Sequence, residues 1–452
     1  MPRDERWDSI GQVTRRNLLA LGAASLLASD GAEARKRRKK KHRRKRKKGG
    51  KGGPGTTPGP ELAARRPFPQ HRTYGEVRPS RWSQAQLDDA IRTFYDRWKS
   101  RYLIALTGSD GNQQYRVAFG RSGDKRGVTV SEGQGYGLMI AATMAGHDPE
   151  AQRICEGLWR FARAHPSDID NRLMDWRVPG GEGNDSAFDG DADLAYGLLL
   201  ADAQWGSSGA IDFRAEFERT LAGILTSTIG PQSRLPMLGD WVNPNDSKYN
   251  QYTPRSSDLV TAHFRTWARA TGASVWNDVA ADSQSTIGAL QSGYAAETGL
   301  LPDFIQPRSG SDHRPRPADA GFLEGRNDGD YSYNAGRDPW RIGADALLHG
   351  DATSAAQATK IARWANASTS GNPRAFKSGY TLAGAPLPGS DYFSIFFVAP
   401  LGVAAMCDSG LQTWLDDIYA AVVASTNEDY YEESVALLCL LLMTGNFRDP
   451  TR

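Results

Sequence analysis

The chain has 452 residues and a formal net charge of +3, and its hydrophobic content of 39% is enough for a substantial core. Three cysteines, Cys155, Cys407 and Cys439, allow at most one disulfide, and no Cys-x-x-Cys pair supports a zinc ribbon or a thioredoxin motif. The absence of His-Glu-x-x-His, Gly-x-Ser-x-Gly and P-loop motifs argues against zincins, serine hydrolases and nucleotide hydrolases.

The excess of positive charge comes from one segment near the N-terminus. Residues 35–51 contain 14 Lys or Arg and no Asp or Glu. Residues 52–452 contain 37 basic and 47 acidic residues, which gives this larger part a net charge of −10. The sequence therefore describes an acidic body that carries a basic segment.

The first 34 residues have the features of an export signal. Arg15-Arg16 precedes an apolar run over 18–28, and Ala32-Glu33-Ala34 has the pattern of a cleavage site. The apolar run is too short to span a bilayer. We therefore predict a twin-arginine-type signal over residues 1–34 and a secreted or cell-surface protein.

A basic run and a linker follow this signal. Every residue from Arg35 to Lys48 except His42 is Lys or Arg, and such a run repels itself and stays solvated. The Gly- and Pro-rich stretch that continues to residue 64 is typical of a flexible linker. Behind an export signal, we expect the run to bind an anionic cell envelope or extracellular polymer and no nucleic acid. The alternative is a solvated tether.

Residues 65–452 have the apolar period of helices and no break in composition, which predicts one domain. The helical segments are 83–103, 131–146, 149–165, 190–205, 210–230, 256–271, 275–293, 337–349, 352–369, 392–407, 411–426 and 430–445. Longer segments rich in Gly, Pro, Asp, Asn and Trp lie between them, and loops of that length are uncommon unless they are functional. They span 104–130, 166–189, 231–255 and 294–336. Twelve paired helices predict an all-α fold, a six-repeat α/α toroid.

One stretch in this body combines a single acid with alternating glycines, Ser131-Glu132-Gly133-Gln134-Gly135-Tyr136-Gly137. Each glycine disfavours a helix by about 1 kcal/mol relative to alanine, but it lets another group approach the backbone closely. The alternative is a capping box of Ser131 with Gln134, in which Glu132 is only a first-turn acid. Capping explains neither the glycines nor the tyrosine.

Further acids and aromatic residues lie in the loop that ends near residue 189. Leu173-Met174-Asp175-Trp176-Arg177 comes first, and Asn184 to Tyr196 follows with Asp189, Asp191 and Asp193 at alternate positions. An N-cap at Asp189 or Asp191 is one interpretation. A calcium loop is excluded because its sixth position is leucine and its twelfth position is leucine.

These two motifs together resemble glycoside hydrolase family 8. Similar family patterns occur at 331–341, Tyr-Ser-Tyr-Asn-Ala-Gly-Arg-Asp-Pro-Trp-Arg, and at 392–402, so the resemblance covers nearly all of 75–445. The resemblance implies an (α/α)6 barrel, inverting hydrolysis of a polysaccharide and no metal or organic cofactor, and we expect a monomer.

The resemblance also implies roles for individual residues. It makes Glu132 the general acid and Asp189 a second carboxylate near the scissile sugar, although Phe188 stands where Thr or Ser is usual. The residues expected to line the cleft are Tyr136, Trp176, Tyr333, Asn334, Arg337 and Tyr392.

The general base is the main departure from the family pattern. Asn334 stands where many members have an aspartate, and an amide cannot take a proton from water at neutral pH. A branch of the family with Asn here uses a glutamate from the preceding loop, which implies Glu324. Asp330 is the second candidate.

Several functions stay open. We expect an endo-glycosidase for β-1,4-linked or mixed β-1,3-1,4 glucan, with a chitosanase as the alternative. A catalytically inactive polysaccharide-binding protein is a further alternative, because Asn334 could be a lesion. A toroid enzyme with Mg²⁺ on Asp189, Asp191 and Asp193 is the least favoured.

Overall fold

The computed structural model describes residues 62–180 and 184–452. Glu61–Phe322 and Arg326–Arg452 form one compact unit, and Leu323–Gly325 fall outside it. The predicted export signal, the basic run and the linker up to residue 61 lie outside the described residues.

Thirteen helices follow one another in the described part of the chain. They are α1 (Gln84–Tyr102), α2 (Gly123–Gly127), α3 (Ser131–Thr143), α4 (Ala151–Ala164), α5 (Phe188–Trp205), α6 (Phe213–Ser227), α7 (Thr261–Thr271), α8 (Val275–Gly293), α9 (Asp338–His349), α10 (Ala352–Ser368), α11 (Ile395–Ala405), α12 (Gln412–Val423) and α13 (Tyr430–Met443). Apart from the five-residue α2, they fall on the twelve predicted segments. The predicted all-α fold, an (α/α)6 barrel, is confirmed.

Burial separates the helices into an inner and an outer set. Every residue of α11 and α13 is buried, and nearly every residue of α3, α5 and α9 is buried too. By contrast, α1, α6, α8 and α10 bury one face and expose the other. A helix that is apolar all round belongs in the interior, and an amphipathic one belongs at the surface. The alternation of the two kinds along the chain builds the two layers of the barrel.

Some helices of the barrel start with a side-chain cap and others do not. The outer helices α1, α6 and α10 start at Ser83, Asp212 and Asp351, whose side chains accept backbone N–H groups. The inner helices α3 and α5 start after Val130 and Ala187, which supply no side-chain cap. The N-terminal N–H groups of a helix need partners, so uncapped starts are available to other groups.

Six short strands form three antiparallel pairs in the long connections: β1 (Leu103–Thr107) with β2 (Gln113–Val117), β3 (Thr129–Val130) with β4 (Arg177–Val178), and β5 (Ile305–Pro307) with β6 (Pro315–Pro317). The pair of β3 and β4 holds the start of α3 beside the loop that contains Trp176. No helix in the described ranges is long and apolar enough to cross a membrane.

Candidate active site

The candidate active site lies where inner helices begin. Glu132 is in the first turn of α3, and Asp189 is in the first turn of α5. Arg337 is the last residue of a 3-10 turn, Ala335–Arg337, that leads directly into α9. The fold therefore brings together three side chains that are far apart in sequence.

Glycines allow the first turn of α3 to pack against its neighbours. A Cβ on Gly133 would collide with the hydroxyl of Tyr430, at the start of α13. A Cβ on Gly135 would lie 2.6 Å from the Cβ of Asp193, in α5. The glycines that disfavour an isolated helix are thus explained by close helix packing.

The alternative capping box at Ser131 is wrong. The Ser131 side chain does not cap α3, and the Gln134 amide instead donates to the carbonyls of Tyr115 and Leu158. The interpretation of Asp189 or Asp191 as an N-cap is also wrong, because α5 begins after Ala187 without a side-chain cap.

Glu132 is largely enclosed, with 14% of its side chain exposed. Its Oε1 accepts hydrogen bonds from the hydroxyl of Tyr136 at 2.9 Å and from Nη1 of Arg337. Burial raises the pKa of Glu132 to about 7; the nearby charge of Asp189 also raises it, whereas Arg337 lowers it. A carboxylic acid that keeps its proton near neutral pH can act as a general acid.

Arg337 connects the carboxyl groups of the site. It is buried, and its Nη1 donates both to Glu132 and, at 2.9 Å, to Oδ2 of Asp189. Its Nη2 donates to the hydroxyl of Ser257 at 2.8 Å and to Oδ1 of Asn334 at 3.1 Å. Its Nε donates to the carbonyl of Asn334 at 3.3 Å. All three nitrogens are therefore engaged, which fixes the guanidinium in position.

Asp189 is the ionised partner in this cluster. Its Oδ1 accepts the backbone N–H of Gly190 at 2.8 Å, and its Oδ2 accepts from Arg337. Burial alone would raise the pKa of Asp189, but the charges of Arg337 and Arg255 outweigh it and hold the pKa below its usual value. The pKa values of the two carboxyl groups are thus shifted in opposite directions, upward for Glu132 and downward for Asp189.

Asp191 and Asp193 belong to other contacts. Oδ1 of Asp191 accepts the N–H of Met174 at 2.9 Å. Asp193 receives both terminal nitrogens of Arg341, at 2.8 and 2.6 Å, and lies 2.9 Å from Nε2 of His263. The three aspartates do not share one site, and no group of acids, histidines and cysteines within 62–180 and 184–452 is arranged to hold a metal ion.

Asp303 holds the loop before α9, and sequence reasoning missed it. Its Oδ1 accepts the backbone N–H groups of Ser332, Asn334 and Ala335 at 3.1, 3.0 and 2.7 Å. Asn334 itself is buried and faces Arg337 with both of its oxygens. Asp303 belongs to no short sequence motif, because its hydrogen-bond partners are distant from it in the sequence.

Aromatic side chains surround the charged cluster. The hydroxyls of Tyr333 and Tyr392 are 2.5 Å apart, and Tyr333 stacks on Phe396 at 5.4 Å between ring centroids. Tyr431 stacks on the same Phe396 at 4.6 Å. Trp176 is partly exposed, and its carbonyl accepts the N–H of Ser131 at 2.9 Å. Tyr431 was not predicted, because a tyrosine pair at a helix start has no signature of its own.

Two of the residues expected to line the cleft lie deeper than that role suggests. Tyr136 is fully buried, with its ring against Trp340, and it reaches Glu132 from within the barrel. Arg337 is 1% exposed and acts on the two carboxyl groups. Phe188, where a hydroxyl residue was expected, is buried against Phe264.

The candidate bases lie in the loop before Tyr331. Asp330 is half-buried, and burial raises its pKa. Glu324 is one of the three residues outside the compact unit, and its role as base stays a prediction. The chain is anchored on either side of it: Phe322 accepts from the hydroxyl of Tyr249 at 2.9 Å, and Arg326 donates to a backbone carbonyl at 3.1 Å.

Comparisons with known proteins agree with this architecture. The model of Glycosyl hydrolases family 8 matches residues 67–445. A β-glucanase of Niallia circulans is 40% identical over 391 residues, which span 85% of this chain and 92% of that protein. An endoglucanase of Bacillus sp. strain KSM-330 is 35% identical over 394 residues, 85% of this chain and 82% of that protein.

A solved structure shows the same fold. The apo structure of a β-1,3-1,4-glucanase from Paenibacillus sp. X4 has a TM-score of 0.80 and 40% sequence identity to this chain. The match covers 85% of this chain and 99% of that chain.

Proposed function

Because the chain belongs to glycoside hydrolase family 8, we propose that this glycoside hydrolase cuts within β-1,4-linked or mixed β-1,3-1,4 glucan chains. The names of the relatives at 40% and 35% identity support a β-glucan substrate. The name of the solved structure at 40% identity supports the mixed-linkage form. The observation that carries the proposal is the Glu132–Arg337–Asp189 cluster, in which one guanidinium contacts two carboxyl groups whose pKa values are shifted in opposite directions.

Glu132 is proposed as the general acid. Its contacts with Tyr136 and Arg337 both fall on Oε1, which leaves Oε2 to carry the proton. In a single displacement, Oε2 protonates the glycosidic oxygen while the bond from that oxygen to the anomeric carbon breaks. Water attacks the anomeric carbon from the opposite face and gives its proton to the general base.

Asp189 is unsuited to be that base. Its Oδ2 and the Oε1 of Glu132 accept from the same nitrogen of Arg337, so the two oxygens are close together. An inverting pair needs a separation of roughly 6.5–9.5 Å, so that a water fits between base and sugar. Asp189 is therefore proposed to hold negative charge beside the anomeric carbon, and Glu324 is proposed as the base.

The anomer formed first tests this division of roles. Inversion by Glu132 and a distant base releases the α-anomer from a β-glucan, which proton NMR of early products detects. A β-anomer formed first would overturn the proposal, because it would require a nucleophile at the distance of Asp189 from Glu132.

Substrate class is tested by release of reducing ends from lichenan, carboxymethylcellulose, chitosan and xylan. We expect the two glucans to be cut, with a fall in viscosity that precedes extensive sugar release. Glu132→Gln is the control, and its rate should be lower by roughly 10²–10⁴. Chitosan as the preferred substrate would favour the chitosanase alternative, and binding without cleavage would favour the inactive binding protein.

Export and surface attachment belong to the same proposal. The twin arginines and the apolar run support secretion, and the basic run over 35–48 supports attachment to an anionic envelope or polymer. Detection of an N-terminus close to residue 35 in culture medium tests export. Retention of residues 1–34 in the cytoplasm would overturn it.

A further inference from the structure

A 3-10 turn before α7, Ser256–Asp258, inserts three polar side chains beneath the cluster of Glu132, Asp189 and Arg337. The hydroxyl of Ser257 accepts from Arg337 at 2.8 Å. The hydroxyl of Ser256 donates to Oδ2 of Asp338 at 2.7 Å. The third side chain, Asp258, has no part in the resemblance or in the predicted site.

Asp258 is a carboxyl group without donors. It is fully buried, and neither of its oxygens has a hydrogen-bond partner among the residues that the structure describes. The nearest cationic atom, Nη1 of Arg255, is 3.8 Å from Oδ2 and thus beyond hydrogen-bond distance. A buried carboxylate without donors is far less favourable than the neutral acid, so this environment selects the protonated form.

The distribution of donors gives the same result. Charged groups face Asp258 from three elements: Asp189 from the start of α5, Arg255 from its own turn, and Arg337, Asp338 and Arg341 from α9 and the turn before it. Arg341 is engaged by both oxygens of Asp193. The hydrogen bonds of Arg337 go to Glu132, Asp189, Ser257 and Asn334, so neither Asp258 nor Asp338 receives one from Arg337 or Arg341.

Hydrogen bonds distinguish Asp189 from Asp258 and Asp338. Asp189 accepts one N–H from Arg337 and one from Gly190. Asp338 accepts only a neutral hydroxyl, and Asp258 accepts nothing from the described residues. Charge-assisted donors stabilise a carboxylate most, so the charge belongs on Asp189 and a proton belongs on Asp258.

We propose that Asp258 is a positioning residue of the glucan hydrolysis proposed above, which carries a proton and so leaves Arg337 to hold Asp189 as a carboxylate. The inference rests on the proposed function for its catalytic meaning. Loss of this proton would place a second negative charge beside Asp189, and the two carboxylates would compete for Arg337.

The pH dependence of activity should carry this signature. Burial, together with the charge of Asp189, raises the pKa of Asp258 to about 7, the same value as for Glu132. Two deprotonations should therefore inactivate the enzyme on the alkaline side. One removes the proton of the general acid, and the other disturbs the hold of Arg337 on Asp189.

Asp258→Asn keeps the size and the neutral state of the side chain. We expect kcat/KM below neutral pH to stay close to that of the unmodified enzyme. On the alkaline side, the slope of log kcat/KM against pH should change from that expected for the loss of two protons to that expected for the loss of one. The matched control is Asp338→Asn, because burial raises the pKa of Asp338 well above its usual range and its proton should not leave in this interval. The control should keep the two-proton slope.

Protonation can also be observed without substrate. In unmodified enzyme labelled with ¹³C at aspartate carboxyl groups, one NMR resonance should titrate near neutral pH, and it should vanish in Asp258→Asn. This measurement needs no variant to detect the titration. An active enzyme without such a resonance, or with the same alkaline slope after Asp258→Asn, would overturn the proton assignment. A titrating resonance in a protein that cuts no polysaccharide would overturn the proposed function and with it the catalytic role of Asp258.

Discussion

Three effects act on the carboxyl group of Glu132. Burial disfavours the carboxylate most, and the negative charge of Asp189 adds to this effect. Arg337 opposes both, because it donates to Oε1. The start of a helix would also favour the ionised form. The pKa of about 7 is therefore a balance in which enclosure of the side chain outweighs its positive partner.

This balance has a consequence for stability. The folded-state pKa of Glu132 is about 7 and its usual value is 4.5, so the folded protein holds this proton more tightly than the unfolded chain does. The stabilisation is complete below the usual pKa and is lost as the pH rises through the folded pKa. Glutamine does not titrate, so a protein with glutamine at this position does not lose stability in this way as the pH rises.

Glu132→Gln should therefore stabilise the protein increasingly as the pH rises. Relative to the unmodified enzyme, its Tm should gain steadily between pH 4.5 and 7 and level off above that range. The difference in unfolding free energy should reach up to about 3 kcal/mol. Thermal unfolding at a series of pH values measures it. A difference independent of pH would show that burial does not raise the pKa of this group.

The base assignment is tested at Glu324 and Asp330. Glu324→Gln should lower turnover by roughly 10²–10⁴, because the attacking water then lacks a proton acceptor. Azide should restore part of the rate, since it can attack without a base. Asp330→Asn is the matched control and should have a milder effect. Full activity of Glu324→Gln would refute the assignment and favour Asp330.

Among the elements, α3 shows how packing sets the sequence of the motif. Gly133 lies against the hydroxyl of Tyr430 in α13, and Gly135 lies against Asp193 and the backbone N of Leu194 in α5. The first neighbour is the end of a side chain, whereas the second includes backbone. We therefore expect the fold to accommodate alanine more readily in place of Gly133 than in place of Gly135.

Gly133→Ala should destabilise the protein by about 1–3 kcal/mol through overpacking, partly offset by the better helix propensity of alanine. Adding Tyr430→Phe removes the hydroxyl and should recover part of the loss. Gly135→Ala with the same Tyr430→Phe is the control and should recover nothing, because its obstacle lies in α5. Chemical denaturation measures all four variants. Equal recovery at both positions would contradict the packing argument.

The sequence predicted the helices better than their connections. The twelve long helices have periodic apolar faces, which a single sequence displays. The five-residue α2 and strands such as Thr129–Val130 are shorter than the window of about 11–18 residues in which an apolar period can be recognised. Glu132, Asp189 and Arg337, whose side chains lie together in the structure, could be singled out from the sequence because each lies in a motif that resembles a family. Asp258 and Asp303 were not found, because their roles arise only from contacts across the fold.

At the scale of the whole molecule, the inner layer makes the site. Glu132 and Asp189 lie in the first turns of α3 and α5, Arg337 directly precedes α9, and Ser257, in the turn before α7, accepts from Arg337. Helix starts carry partial positive charge, which favours carboxylates there. The barrel thus gathers acids at one end and neutralises them with few arginines. The carboxyl groups that no arginine neutralises must therefore stay protonated.

The acidic body and the basic run have opposite charges and should have separable functions. The body over 52–452 has a net charge of −10, whereas residues 35–51 have 14 Lys or Arg. An anionic surface should repel the body and attract the run. Catalysis on a soluble glucan should depend on the body alone, because the predicted catalytic residues lie between 132 and 324.

Deletion of residues 35–60 should therefore leave kcat/KM on soluble β-glucan unchanged and abolish binding to vesicles that contain anionic lipid. Binding by the unmodified protein should weaken as salt is raised from about 0.01 to 0.15 M, because the screening length falls from about 30 to 8 Å. The matched control replaces each Lys and Arg of 35–48 with Gln, so that the length of the segment is kept and its charge removed. It should behave like the deletion if charge drives attachment. Persistent binding by the glutamine variant would show that charge does not drive it, and loss of soluble activity on deletion would show that the segment belongs to the catalytic fold.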